Sequence, residues 1–133
     1  MRNNDEYILC KQVAAYLRAQ YPKVIFHFDL AGLNLSRAQA GMMKAIQGGR
    51  GFPDLFIAQP KLASAGLFLE LKKEGTKLFK LNGDYVSEHI AEQAMTIANL
   101  KAMGYTAWFA IGLDDAMKKI NTYLCQEKHN QQK

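Results

Sequence analysis

Apolar residues recur at helical spacing early in this chain, where Leu9, Cys10, Val13, Ala14 and Leu17 share one side of a 3.6-residue period. The pattern predicts a helix that opens after Asn4 or Asp5, either of which can cap it. It runs to about Gln20, with Pro22 beyond its end. Val24 to Phe28 reads as a strand, and Ser36-Arg37-Ala38-Gln39 has the form of a capping box opening a short helix that Gly48-Gly49 stops. Two strand-length apolar runs follow, within 51–58 and 66–72, joined through Gln59-Pro60-Lys61. Asn82-Gly83 signals a hairpin turn between Leu78-Phe79-Lys80-Leu81 and Asp84-Tyr85-Val86. Ser87 can cap a second long helix ending at Met103, with Gly104 placed for a left-handed cap. Tyr105 to Ile111 is an aromatic-rich strand, Asp114 or Asp115 starts a last helix ending near Leu124, and Gln126 to Lys133 reads as a frayed tail. This order predicts an α/β fold with a central mixed β-sheet and helices on both faces.

The chain has 133 residues, enough for one domain with a moderate core, spanning about 5–124. No apolar run approaches membrane-spanning length and the stretch Met1 to Glu6 lacks the apolar segment of a signal peptide, so a cytoplasmic setting is expected. Cys10 and Cys125 fit neither a zinc spacing nor a redox pair, and both are expected as reduced thiols in or near the core. The formal net charge of +5 is unevenly placed: between Arg37 and Lys80 eight cations face only Asp54, Glu70 and Glu74. Such a concentration suits a polyanion such as nucleic acid, although an ordinary solvated basic surface explains it as well. Arg37, Lys44, Arg50, Lys73, Lys77 and Lys80 are the candidate phosphate contacts.

The two apolar runs carry Asp54, Glu70 and Lys72. Side chains alternate across a strand, so Glu70 and Lys72 project from one face. Leu67, Phe68, Leu69 and Leu71 mark that strand as buried on both sides, where a carboxylate and an ammonium need a partner. A divalent cation held by Asp54 and Glu70 is one such partner, with the Leu71 backbone carbonyl placed to complete the shell. Mg²⁺ or Mn²⁺ in that seat would support phosphodiester hydrolysis, with Lys72 stabilising charge on phosphorus. The plainer alternative is a Glu70–Lys72 ion pair on an exposed edge strand. Gln93, one turn after His89, can orient a water or phosphate, and Glu6 can add a carboxylate, through water or at a second cation. Both residue types also crowd ordinary helix surfaces. His27 shares a strand face with Ile25 and reads as a satisfied, partly buried histidine; His89 reads as a solvated helix residue.

Gly51-Phe52-Pro53-Asp54, then Glu70-Leu71-Lys72, then Glu92-Gln93 ahead of Leu100 and Met103-Gly104-Tyr105, resembles the VRR-NUC (virus-type replication-repair nuclease) domain of the PD-(D/E)xK restriction-endonuclease-like superfamily. The resemblance runs from Glu6 to Leu124. It implies a restriction-endonuclease-like core, a catalytic set of Glu6, Asp54, Glu70, Lys72 and Gln93, and a divalent metal cofactor. It also implies a structure-selective DNA endonuclease acting on branched DNA, such as a Holliday junction or flap, in phage or prophage replication, recombination or repair. The stretch from Lys72 to Gln93 is longer than that family usually has, and its extra hairpin is a candidate DNA or dimer contact. A homodimer is expected, because one site cuts one strand and a two-fold axis supplies the second. The alternatives are a catalytically silent DNA-binding module and a nuclease that nicks duplex.

Overall fold

A computed structural model describes residues 4–29 and 35–126. The elements are α1 (Asn4–Gln20), β1 (Phe26–Phe28), α2 (Arg37–Ala45), β2 (Leu55–Ile57), β3 (Leu67–Lys72), α3 (Glu88–Ala102), β4 (Thr106–Ile111) and α4 (Leu113–Leu124). The strands form one sheet in the order β1-β2-β3-β4. The β1–β2 and β2–β3 pairs are antiparallel, while β3 and β4 run parallel through α3. This is the mixed α/β sheet that the polar–apolar pattern predicts.

Period two splits β3 between two environments. Leu67, Leu69 and Leu71 point to one face and join Leu55, Ile57 and Ala110 in a core completed by Leu9, Val13 and Leu17 of α1 and Ala116, Ile120 and Tyr123 of α4. Tyr16 and Tyr21 both donate to Asn121 Oδ1, pinning α1 to α4. Burial, with the Cys125 thiol and Tyr16 nearby, pushes the Tyr21 hydroxyl up to about 12. Tyr123 donates to the Gln59 carbonyl and so closes the β2–β3 connection over this core. On the opposite face Phe68 packs with Ala107 and Ile97, flanked by Phe56, Leu100, Tyr105 and Phe109.

Helix α3 is matched to that second face. Its residues His89, Gln93, Ile97 and Leu100 fall on one side at helical spacing and change from polar to apolar along the axis. Phe68, Glu70 and Lys72 make the same change in the opposite sense along β3. The apolar half of α3 therefore covers the aromatic end of the sheet, and its first turns stand beside the charged end.

The two serine caps form as predicted: Gln39 N–H donates to Ser36 Oγ while Ser36 N–H donates to Gln39 Oε1, and Ile90 N–H donates to Ser87 Oγ. Four expectations need correction. Val24 lies outside β1, because its N–H goes to the Tyr21 carbonyl in the turn after α1. His27 is exposed, on the edge strand β1. Gly112, with no side-chain cap bond, precedes α4, and Asp115 instead accepts from the Ile111 N–H. Cys125 is exposed because it terminates α4, and neither cysteine is in a disulfide. The predicted tail beyond Gln126 lies outside the described residues.

The hairpin after β3 is present, but as a single Phe79–Tyr85 bridge rather than two strands. Gly83 N–H bonds to the Lys80 carbonyl and Lys80 N–H to the Asp84 carbonyl, with Gly83 at φ +94°. That is a three-residue loop closed by a left-handed glycine, in which Asn82 Oδ1 also accepts from Asp84 N–H.

Candidate active site

The antiparallel register sets the geometry. Leu55 pairs with Leu69, so one step further Asp54 stands across from Glu70, with its side chain on the same face. The strand carrying Glu70 and Lys72 is central, between β2 and β4, which excludes the exposed-edge ion pair. Asp54 is 4% exposed, Glu70 1% and Lys72 7%. Lys72 Nζ lies 3.6 Å from Glu70 Oε2. The backbone N–H of Leu71 donates to Asp54 Oδ2 at 2.8 Å, which fixes the plane of that carboxylate. A strand residue directs its N–H and C=O to the same edge, so the Leu71 carbonyl also opens toward Asp54.

Gln93, 4% exposed, reaches down from α3 and donates from Nε2 to Glu70 Oε2 at 2.9 Å. The same nitrogen lies 3.2 Å from His89 Nε2. His89 Nε2 accepts the second amide hydrogen when its ring carries the proton on Nδ1. The Gln93 Oε1 atom is buried and has no hydrogen-bond partner among the described residues.

These groups line one cleft of about 910 Å³, together with Glu6, Asp29, Lys44, the turn from Gln47 to Phe52, and Glu92. Glu6, rather than the adjacent Asp5, faces it; Asp5 borders a separate hollow with Lys73 and Glu74. Of the six basic candidates, Lys44 and Arg50 line the cleft, while Arg37, Lys73, Lys77 and Lys80 lie outside its wall. Five carboxylates, Glu6, Asp29, Asp54, Glu70 and Glu92, thus face three cations, Lys44, Arg50 and Lys72, in the cleft. Asp54, Glu70 and Lys72 are buried, while Arg50 is exposed and pairs with Glu92 at 3.4 Å.

Asp29 escaped sequence reasoning. Its N–H bonds to the Asp54 carbonyl at 2.8 Å, so Asp29, Asp54 and Glu70 form a row of acids across three strands. The missing signal was the β1–β2 register, which no local pattern encodes.

The donor set suits a hard divalent cation. Two carboxylates and a backbone carbonyl are oxygen ligands of the kind Mg²⁺ takes while keeping several waters. Two buried anions beside one buried ammonium leave negative charge that a cation offsets. Among the described residues no group of three or more His, Cys, Asp or Glu side chains is placed to hold a metal ion, so the seat consists of two carboxylates and a backbone carbonyl.

No family model and no curated protein matches the chain. Among solved structures, a VRR_NUC domain protein superposes with a TM-score of 0.65 at 24% identity, covering 95% of this chain and 93% of that one. At that identity the likeness establishes a shared fold, in agreement with the nuclease-like α/β core expected from the sequence. No helix among the described residues is long and apolar enough to cross a membrane.

Proposed function

We propose that this protein is a divalent-metal-dependent DNA endonuclease that hydrolyses phosphodiester bonds, with a preference for branched DNA arising in phage or prophage replication, recombination or repair. The observation that carries the reading is the pairing of Asp54 and Glu70 across adjacent strands at the floor of the cleft, with Lys72 and Gln93 on Glu70. The solved VRR_NUC neighbour, similar over almost its whole length, lends support through the shared fold.

Asp54, Glu70 and the Leu71 carbonyl are the groups that would hold Mg²⁺ or Mn²⁺, with Glu6 acting through water. The chemistry such a cation supplies is Lewis-acid polarisation of the phosphate and a lowered pKa for the attacking water. Lys72 is held by Glu70 at 3.6 Å, where its charge stabilises the phosphorane-like transition state. Gln93 fixes the rotamer of Glu70 and offers its buried Oε1 to a water. Lys44 and Arg50 at the rim take flanking phosphates.

One site cuts one strand, so paired incision of a branch favours a homodimer. The contact we assign to it is the 78–86 hairpin, where Phe79 stacks on Tyr85 at 4.8 Å and Leu81 is fully exposed. Light scattering across micromolar concentrations, free and with a four-way junction, should give twice the chain mass. A strict monomer that still makes paired incisions would reject the dimer.

The nuclease reading is tested with labelled duplex, flap and four-way junction in Mg²⁺, Mn²⁺ or EDTA. Incision of branched DNA in either metal and none in EDTA is expected. Full activity in EDTA, or no incision of any DNA, would overturn it.

A further inference from the structure

Phe52 is the apolar exception in a polar cleft. It is 51% exposed, although it stands two residues from Asp54 and lines the same wall as the carboxylates. A solitary exposed phenylalanine is common and by itself means nothing. This one is held in place from three sides. Its ring meets Phe68 edge-to-face at 5.3 Å and 85°, and Phe68 in turn stacks on Phe56 at 4.5 Å. Pro53 behind it is fully buried. Before it, Gly51 sits at φ +77° so close to α3 that a Cβ there would lie 3.1 Å from the Glu92 carbonyl oxygen. Thr96 Oγ1 also donates to the Arg50 carbonyl. The turn is therefore clamped between the sheet and α3, and the exposed side of the ring is presented to the cleft without freedom to fold away.

We propose that Phe52 is a stacking platform for an unpaired nucleobase next to the scissile phosphate. The proposal rests on the nuclease reading and supplies what that reading lacks, a physical basis for preferring unpaired or branched DNA. Two residues span at most about 7 Å, so a base on the ring belongs to a nucleotide at or beside the carboxylates. Arg50, exposed and 3.4 Å from Glu92, and Lys44 line the same cleft and supply the cations that a strand needs alongside an aromatic platform. Paired bases keep their faces inside the duplex and offer nothing to the ring. An unpaired base does, and a ring already fixed in position binds it with little ordering cost.

The test is a flap oligonucleotide with 2-aminopurine at the unpaired nucleotide beside the junction, titrated with protein in Ca²⁺ or EDTA so that the strand stays intact. Phe52→Leu keeps an apolar cover on Phe68 and removes the ring; Phe52→Trp keeps a ring. Wild type and Phe52→Trp should quench 2-aminopurine. Phe52→Leu should fail to quench and should bind the flap roughly tenfold more weakly, in line with the usual loss of one aromatic–base stack. Its affinity for fully paired duplex should be unchanged. Quenching by Phe52→Leu equal to wild type, or an equal loss on flap and duplex, would show a ring that only covers Phe68 and overturn the proposal. Wild type that binds and cuts without quenching would remove the stacking proposal alone. Wild type that binds no DNA would remove it together with the nuclease reading.

Discussion

Leu69 and Glu70 are adjacent in β3 and equally withdrawn from water, yet they face opposite sides of the sheet. Leu69 packs among aliphatic side chains of α1 and α4, where burial is favourable by itself. Glu70 is buried against Lys72 and Gln93, where burial is costly unless charge and hydrogen bonds are matched. One face of the strand holds the fold together and the other spends part of that stability on holding charges where water cannot disperse them. Positions that a fold keeps charged in such a place are candidates for chemistry.

The contrast can be broken residue by residue. Glu70→Gln or Asp54→Ala should abolish cleavage while leaving DNA binding near normal or tighter, because anionic charge facing phosphate is lost. Unfolding of these variants should stay close to wild type, and single-turnover assays beside binding titrations check both halves. Leu69→Ala should do the reverse. A buried leucine truncated in a packed core costs about 2–5 kcal/mol, a Tm fall of about 10 °C or more, with turnover of the folded fraction retained. Lys72→Met keeps the stem and removes the charge, so turnover of the folded protein should fall by roughly 10², with a loss of Tm because Glu70 is left buried without its cation. Gln93→Ala should cost less than Lys72→Met, since the amide orients and carries no charge. Near-normal turnover in Lys72→Met would make the lysine a structural partner only.

The smallest effect lies on the packing side. Burial alone would raise the Asp115 carboxyl, but the Ile111 N–H and Lys119 outweigh it and hold the group below its ordinary value. A carboxyl depressed in the folded state contributes stability above its unfolded pKa and loses it as pH falls through the folded one. Wild type should therefore lose slightly more Tm than Asp115→Asn on acidification below about pH 4.

Much of this was legible because its causes are local. Ser36 and Ser87 cap the residues that follow them, and alternation within a single strand puts Glu70 and Lys72 on one face. Gln93 was legible from its helix position only as a weak candidate, strengthened by the family resemblance; its seat on Glu70 depends on how α3 lies across the sheet. Asp29 and the fixed ring of Phe52 require strand register or packing between residues far apart in sequence. Local rules also overran at the edges. They made His27 partly buried and Asn82-Gly83 a two-residue turn, because neither edge exposure nor loop length follows from residue type.

The claim at the centre is that the charged face of β3 is a cation seat, and thermal unfolding with and without Mn²⁺ tests it without any DNA. A ligand that binds only the folded state at ten times its Kd stabilises by about 1.4 kcal/mol, read as a Tm rise of several degrees. Wild type should show that rise, and Glu70→Gln should not. A wild-type Tm indifferent to millimolar Mn²⁺, or an equal rise in Glu70→Gln, would contradict it.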